Sequence, residues 1–317
     1  MTHLTLSARS RQGSGRLADI TFRASARIAA GAVVVLLILI GVLLFATSRL
    51  TWETFGLSFV TGQTWDPVAG VFGALPFIVG TILAASIAVI LAAPIGIFTA
   101  IYLSELAPGR LATPLTFLIE LLAAIPSVVI GLWGVFILAP FLRLTVEAWI
   151  VSVFGWIPFL GGPTYGIGLF SAGVILTIMI LPTIVTISRE VIQAVPGSQR
   201  EAMFALGATR WEVIRRAVIP FARSGIIGAV ILGLGRALGE TMAVTMVIGN
   251  KDAIPASLFD QTQTIASKIA TSFSEASVGI ETSSLIALGL VLLVLTIIMN
   301  VVARLLVWRV ADPLGGR

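Results

Sequence analysis

Long apolar runs separated by shorter polar stretches dominate this chain. The first, "IAAGAVVVLLILIGVLLFAT" (28–47), has 20 residues and no charge, and about 20 apolar residues are what an α-helix needs to cross a bilayer. Runs at about 71–102, 114–140, 168–188, 224–248 and 284–307 predict five more spans. A secretory leader carries an apolar core of only about 7–15 residues, so the first run reads as an uncleaved helix. Pro94, Pro126 and Pro182 fall inside predicted spans, which membrane helices tolerate when neighbours re-satisfy the backbone. The organisation that follows is a polar tail (1–27), a first helix with its outer loop (28–70), a five-helix core (71–307) with a polar loop at 189–223, and a second tail (308–317).

Composition agrees with an all-α integral membrane protein. The chain is 57% hydrophobic and 11% charged, with a mean hydropathy of +1.06, whereas a soluble domain carries about 25% charged residues. It has no Cys and a single His, His3. Disulfides, thiolate metal sites and histidine acid–base chemistry therefore lack their residues.

The distribution of charge sets an orientation. Fourteen of the 20 Lys and Arg residues fall in segments 1–27, 103–113, 189–223 and 308–317. The opposite loops hold four, Arg49, Arg143, Lys251 and Lys268. Cytoplasmic loops carry the excess of Lys and Arg, so both termini are expected inside. The net positive charge thus follows membrane topology and lipid rather than nucleic acid. Trp52, Trp65, Trp149 and Trp156 in the outer loops predict an interfacial aromatic belt.

The inner loop "REVIQAVPGSQREAMFALGATRWEVIRRAVIPFAR" (189–223) predicts two short helices. One runs from Ser198 as cap to Leu206 and stops at Gly207. The other begins near Thr209, with Glu212 placed for a capping box, and Pro220 reads as a helix end. Ala202, Ala205 and Leu206 share a face at helical spacing. Such a helix suits a groove on a cytosolic partner, or lies on the membrane surface.

Within it, "EAMFALGATRWEVIRRAVIP" resembles the EAA loop of ABC-importer permeases. Glu201, Ala202 and Gly207 match its first part and Val218, Ile219 and Pro220 its second, while Met203 replaces an Ala and Ile219 a Leu. The resemblance implies a type I importer (MetI-like) permease fold and a coupling helix that docks on an ATPase subunit, with Glu201, Ala202, Ala205, Leu206 and Gly207 at the contact. ATP is not expected on this chain, because a P-loop needs Gly-Lys-Ser/Thr and the only lysines stand in "NKD" and "SKI". The string "GLGRALG" lies in a predicted span, follows no strand and has the wrong spacing for a dinucleotide fingerprint.

The fifth predicted span carries two charges, Arg236 and Glu240, in "GLGRALGETMAV". An Arg at the bilayer centre costs roughly 2.5–3.5 kcal/mol on the mildest scale. Four residues apart, the two read as neighbours on one helix face. They either fix helix register, or Arg236 attracts an anion while Glu240 holds it in place. Arg suits phosphate because its planar fork donates two parallel hydrogen bonds. Gly225, Gly228, Gly235 and Gly239 predict close approach of another helix. Thr241, Thr245 and Ser127 are lesser candidates for the path, and Glu120 reads as interfacial.

"GLGRALGETMAVTMVIGN" and "LLAAIPSVVIGLWGVF" (121–136) resemble phosphate-specific ABC importer permeases of the PstC type, over roughly Ala29–Trp308. The resemblance implies a subunit of the bacterial inner membrane that moves phosphate past Arg236 and Glu240 by alternating access. Implied partners are a homologous A-type permease, two cytosolic ATPase subunits that bind the ATP–Mg, and a periplasmic or extracellular phosphate-binding protein. Other readings are a sulfate or molybdate permease, the A-type subunit itself, and more remotely an ion-coupled secondary transporter, which would leave the EAA loop unexplained.

Overall fold

The computed structural model describes residues 9–311, with side-chain positions from Asp19 to Leu305. His3 and the last six residues of the expected C-terminal tail lie outside the described residues. Six helices are long and apolar enough to cross a membrane: Asp19–Thr47, Leu75–Leu106, Ser127–Phe154, Leu169–Gln193, Arg210–Gly239 and Ile280–Leu305. They are called the first to sixth spans below. The first belongs to a longer helix, Arg9–Thr47, so the expected polar tail is helical from Arg9 onward.

The second, fourth and fifth spans form the centre of the bundle. A row of small residues on the second span, Ala84, Ala85, Ala88 and Ala92, packs in one cluster with Leu176, Ile180 and Ile184 of the fourth and Leu234 and Leu238 of the fifth. Glycines bring these helices closer than side chains would allow. A β-carbon at Gly173 would stand 2.4 Å from Ile87, and one at Gly225 would stand 2.4 Å from Val191. The first span, by contrast, exposes its apolar side chains from Val33 to Phe45 and meets the sixth through Gly41, Leu44, Gly289 and Leu293. A helix that is apolar all round and barely covered by protein has lipid as its solvent.

Three expected elements have different bounds. The run 114–140 is not one helix: Gly109–Ala124 ends before Ile125, which is extended, and the third span starts after Pro126. Proline excludes the helical region for the residue before it. The third span then continues to Phe154 through two wide turns, Gly134–Leu138 and Arg143–Glu147. Pro220 does not end a helix. It lies inside the fifth span, just after the wide turn Ile214–Val218 in which the Ile219 N–H bonds back to Ile214 O. That i→i+5 turn absorbs the donor that proline removes. The fifth span finishes at Gly239 rather than continuing to 248.

The face opposite the Arg-rich loops is closed by a small hairpin, Trp65–Asp66 with Val71–Phe72, and a short helix, Ile265–Ser272. Trp65 is buried here, edge-on to Phe72 and Phe77. Lys268 Nζ lies 5.1 Å from the Trp65 ring and 2.6 Å from Asp252 Oδ2. Trp65 therefore leaves the expected belt for the core and Trp52 is half-buried, whereas Trp149 and Trp156 are exposed.

Candidate functional site

Two places bring the predicted residues together. The first is the break at the end of the fifth span. Glu240 has φ −69° and ψ 125° and so leaves the helix; a short helix, Met242–Val247, follows. Arg236 thus occupies the last turn of one helix, at the carbonyl end, where a cation is favoured. Glu240 precedes the amide end of the next, and its Oε1 accepts from Ala243 N at 3.4 Å. The break places each charge at the helix end that suits its sign.

It also overturns the expected pairing. Among the described residues, the ion pairs are Arg23–Asp19, Arg49–Glu53, Arg200–Glu105 and Lys268–Asp252; Arg236–Glu240 is not one of them. With a helix end between them, four residues no longer mean one turn on a shared face. Arg236 is exposed and donates through Nη1 to Thr183 Oγ1 of the fourth span at 3.3 Å. Of the glycines expected to admit a neighbouring helix, Gly225 does so. Gly228, Gly235 and Gly239 have nothing within 4 Å of where a side chain would begin. At spacings of seven and four residues they form one open stripe on the fifth span.

The short helix is held from behind. A β-carbon at Gly131 would lie 3.0 Å from Ala243 Cα, and one at Gly134 would lie 2.9 Å from Val247. The two segments therefore run the same way, which puts Ser127, at the start of the third span, at the Glu240–Thr241 end. Thr241 and Ser127 are half-buried. Thr245 directs its hydroxyl to Thr241 O at 2.7 Å, a bond within its own helix that ties it to the backbone.

The second place is the short helix Gly197–Ala205 in the Arg-rich loop. Pro196 occupies its N-cap position and no side chain caps it, so Ser198 is not the cap that its type predicts. Glu201, Ala202, Ala205, Leu206 and Gly207 are all exposed, with Leu206 at 83%. The opposite side is anchored: Met203 packs among Val195, Val213 and Ile214, which gives the larger side chain at this position a use. Gly207 has φ +78°. Its N–H bonds to Phe204 O and the next, Ala208 N–H, to Met203 O, at 2.9 and 3.1 Å, a Schellman end that favours glycine. Thr209 and Glu212 form the expected capping box. A cleft of about 560 Å³ lies between this helix and the first half of the fifth span, lined in part by Gln199, Ala202, Leu206, Arg216 and Arg223.

Sequence reasoning missed Thr183 and the pair Arg200–Glu105. A hydroxyl directly after Pro182 in an apolar run is the one local sign of the first. The second joins residues 95 apart in sequence, beyond any helical spacing.

A bundle of membrane-crossing helices, with an exposed helix at its charged end and a broken helix at its centre, defines a transporter subunit that works with a soluble partner. Residues 92–312 match the model of the binding-protein-dependent transport system inner membrane component, and the chain belongs to that family. It is 49% identical over 303 residues (94% of this chain, 93% of the relative) to the phosphate transport system permease protein PstC of Mesorhizobium japonicum. Identity to the PstC of Haemophilus influenzae is 42% over 285 residues (88% and 90%), and to PstC 1 of Mycobacterium tuberculosis 41% over 274 residues (83% and 81%). Among solved structures, it resembles the inward-facing MetNI methionine ABC transporter at TM-score 0.53 and 19% identity (75% of this chain, 94% of that one). A bacterial ABC transporter for alginate import gives TM-score 0.55 and 16% identity (92% and 100%). At those identities the likeness speaks for the fold: a MetI-like importer permease, multi-pass in the membrane.

Proposed function

We propose that this chain moves inorganic phosphate as one permease subunit of an ATP-driven importer, with Arg236 as the residue that meets the anion. The observation that carries this reading is the exposed Arg236 guanidinium, bonded to one hydroxyl and, among the described residues, to no carboxylate. Such a group keeps its paired donors for a tetrahedral oxyanion. The names of the relatives at 49% and 42% identity support phosphate as that anion. Glu240, at the same break, keeps the path from holding an anion too tightly to release it.

The remaining parts follow from the same reading. The Arg-rich face is cytoplasmic and the membrane is the bacterial inner membrane. A second permease of the A type completes the path on the open side of Arg236. Two ATPase subunits bind ATP–Mg, and one of them docks on Glu201, Ala202, Ala205 and Leu206. A phosphate-binding protein delivers from the opposite face. The chain itself does no covalent chemistry; closure of the ATPases drives the exposed helix and opens the path inward.

The test is labelled-phosphate uptake into proteoliposomes holding this chain, its partner permease, the ATPase and the binding protein, with sulfate and molybdate as competitors. ATP-dependent uptake that neither competitor lowers, and that Arg236→Gln cuts about 10- to 100-fold in an assembled complex, is the expected result. Uptake that a protonophore stops at constant ATP overturns it.

A further inference from the structure

The Arg200 side chain joins three elements. It leaves the exposed helix Gly197–Ala205 one residue before Glu201 and turns inward, with 22% of its side chain exposed against 13% for Glu105. Nη2 donates to Glu105 Oε1 at 2.7 Å, on the last turn of the second span, and to Ile192 O at 2.9 Å, at the end of the fourth. Nη1 donates to Val195 O at 2.5 Å, and Nε lies 3.2 Å from Glu105 Oε1.

Each partner needs what Arg200 supplies. A carboxylate in the last turn of a helix faces the negative end of the dipole. The last carbonyls of the fourth span lack an N–H donor from a next turn of their own helix, and Ile192 O otherwise accepts from Val195 N at 3.3 Å. One planar guanidinium with five donors answers both; an ammonium of three rotating donors on a thinner stem does not reproduce the fork.

We propose that Arg200 is a positioning residue that makes the exposed helix one rigid body with the second and fourth spans. A push on that helix by the ATPase then reaches Thr183, and through it Arg236. From Ile192 to Thr183 is nine residues of unbroken helix, about 13 Å at 1.5 Å per residue. The proposal rests on the reading of Gly197–Ala205 as the ATPase-docking helix. It adds that the transmission runs through the Arg200 fork beside the Met203 anchor, not through the loop backbone alone.

The absence of Cys from the chain allows a direct test. Nitroxide labels at Phe204→Cys, on the exposed helix, and Phe98→Cys, on the second span, report their separation in the full complex with and without ATP. The wild-type background is expected to keep one narrow distance in both states. Arg200→Gln with Glu105→Gln, which removes both charges and leaves neither unpaired, is expected to broaden it. In proteoliposomes the same double variant is expected to assemble and hydrolyse ATP. Its phosphate uptake per ATP should fall by at least about tenfold, the worth of one charge-assisted hydrogen bond, at an unchanged half-saturating concentration of loaded binding protein. Arg200→Lys is expected to restore part of it. A distance that already changes with ATP in the wild-type background overturns the proposal, as does normal uptake per ATP in the assembled double variant. Should the unmutated complex take up no phosphate, the proposed function fails, and the label distances still judge the rigid link.

Discussion

Arg200 and Arg236 both sit against helix ends near the fourth span, yet their surroundings are opposite. Arg200 is enclosed, with its donors directed to one carboxylate and two backbone carbonyls. Arg236 is exposed and has one hydroxyl at 3.3 Å. Burying a charge is tolerable only when it is paired and hydrogen-bonded, and Arg200 meets that condition within the chain. Arg236 does not, so its remaining donors are left for something the chain does not contain. Under the proposed function, the difference separates a charge that holds the protein together from a charge that waits for cargo.

The comparison breaks most readily at Arg200. Arg200→Gln alone leaves the part-buried Glu105 without its partner, and the loss of a charge-assisted contact costs about 1.5–3 kcal/mol. The expected result is a clear drop in the thermal midpoint of the purified subunit, followed by tryptophan fluorescence. A midpoint equal to wild type would place Arg200 in the same class as Arg236. Arg236→Gln should do the reverse: uptake falls about 10- to 100-fold, as the loss of a charge-assisted contact of about 1.5–3 kcal/mol predicts, while the midpoint stays put. A matching fall in stability would make Arg236 a structural charge after all.

Smaller changes sharpen the contrast around the exposed helix. Gly207→Ala forces a side chain into a left-handed backbone at a place with open space around it. It should cost about 1–2 kcal/mol, read as faster proteolysis of the 189–223 loop. Thr209→Ala removes the capping box beside it and should cost about 0.5–2 kcal/mol, read as a slightly lower midpoint with uptake retained.

What could be read from the sequence was local. Six apolar runs of about bilayer length announce six spans, and Gly207 and the Thr209–Glu212 pair announce a helix end and a helix start because each acts within a few residues. The break at Glu240 left only an ambiguous sign: "GETMAV" is flanked by apolar residues on both sides, and the dip made by Arg236, Glu240 and Thr241 reads equally well as charges within one span. It is the short helix's seat against Gly131 and Gly134 that bends the chain there, and that contact lies more than a hundred residues away in sequence. The same holds for Thr183 beside Arg236. At Pro126 and Pro220 the residue type was a clue of the wrong strength, since the first divides a helix and the second is absorbed by a wide turn.

The division of the fifth span has a mechanical consequence. A single rod through the membrane acts as a lever, and whatever angle opens one mouth must shift the other by the same rotation. Here the long piece, Arg210–Gly239, packs with the core, while Met242–Val247 is seated on the third span, and the chain leaves the helix at Glu240 between them. Under the proposed alternating access, a break at this point lets the two mouths be set independently, which gives the passage a state in which both are shut. An importer needs that third state, because an anion path open at both ends would let the accumulated cargo run back out.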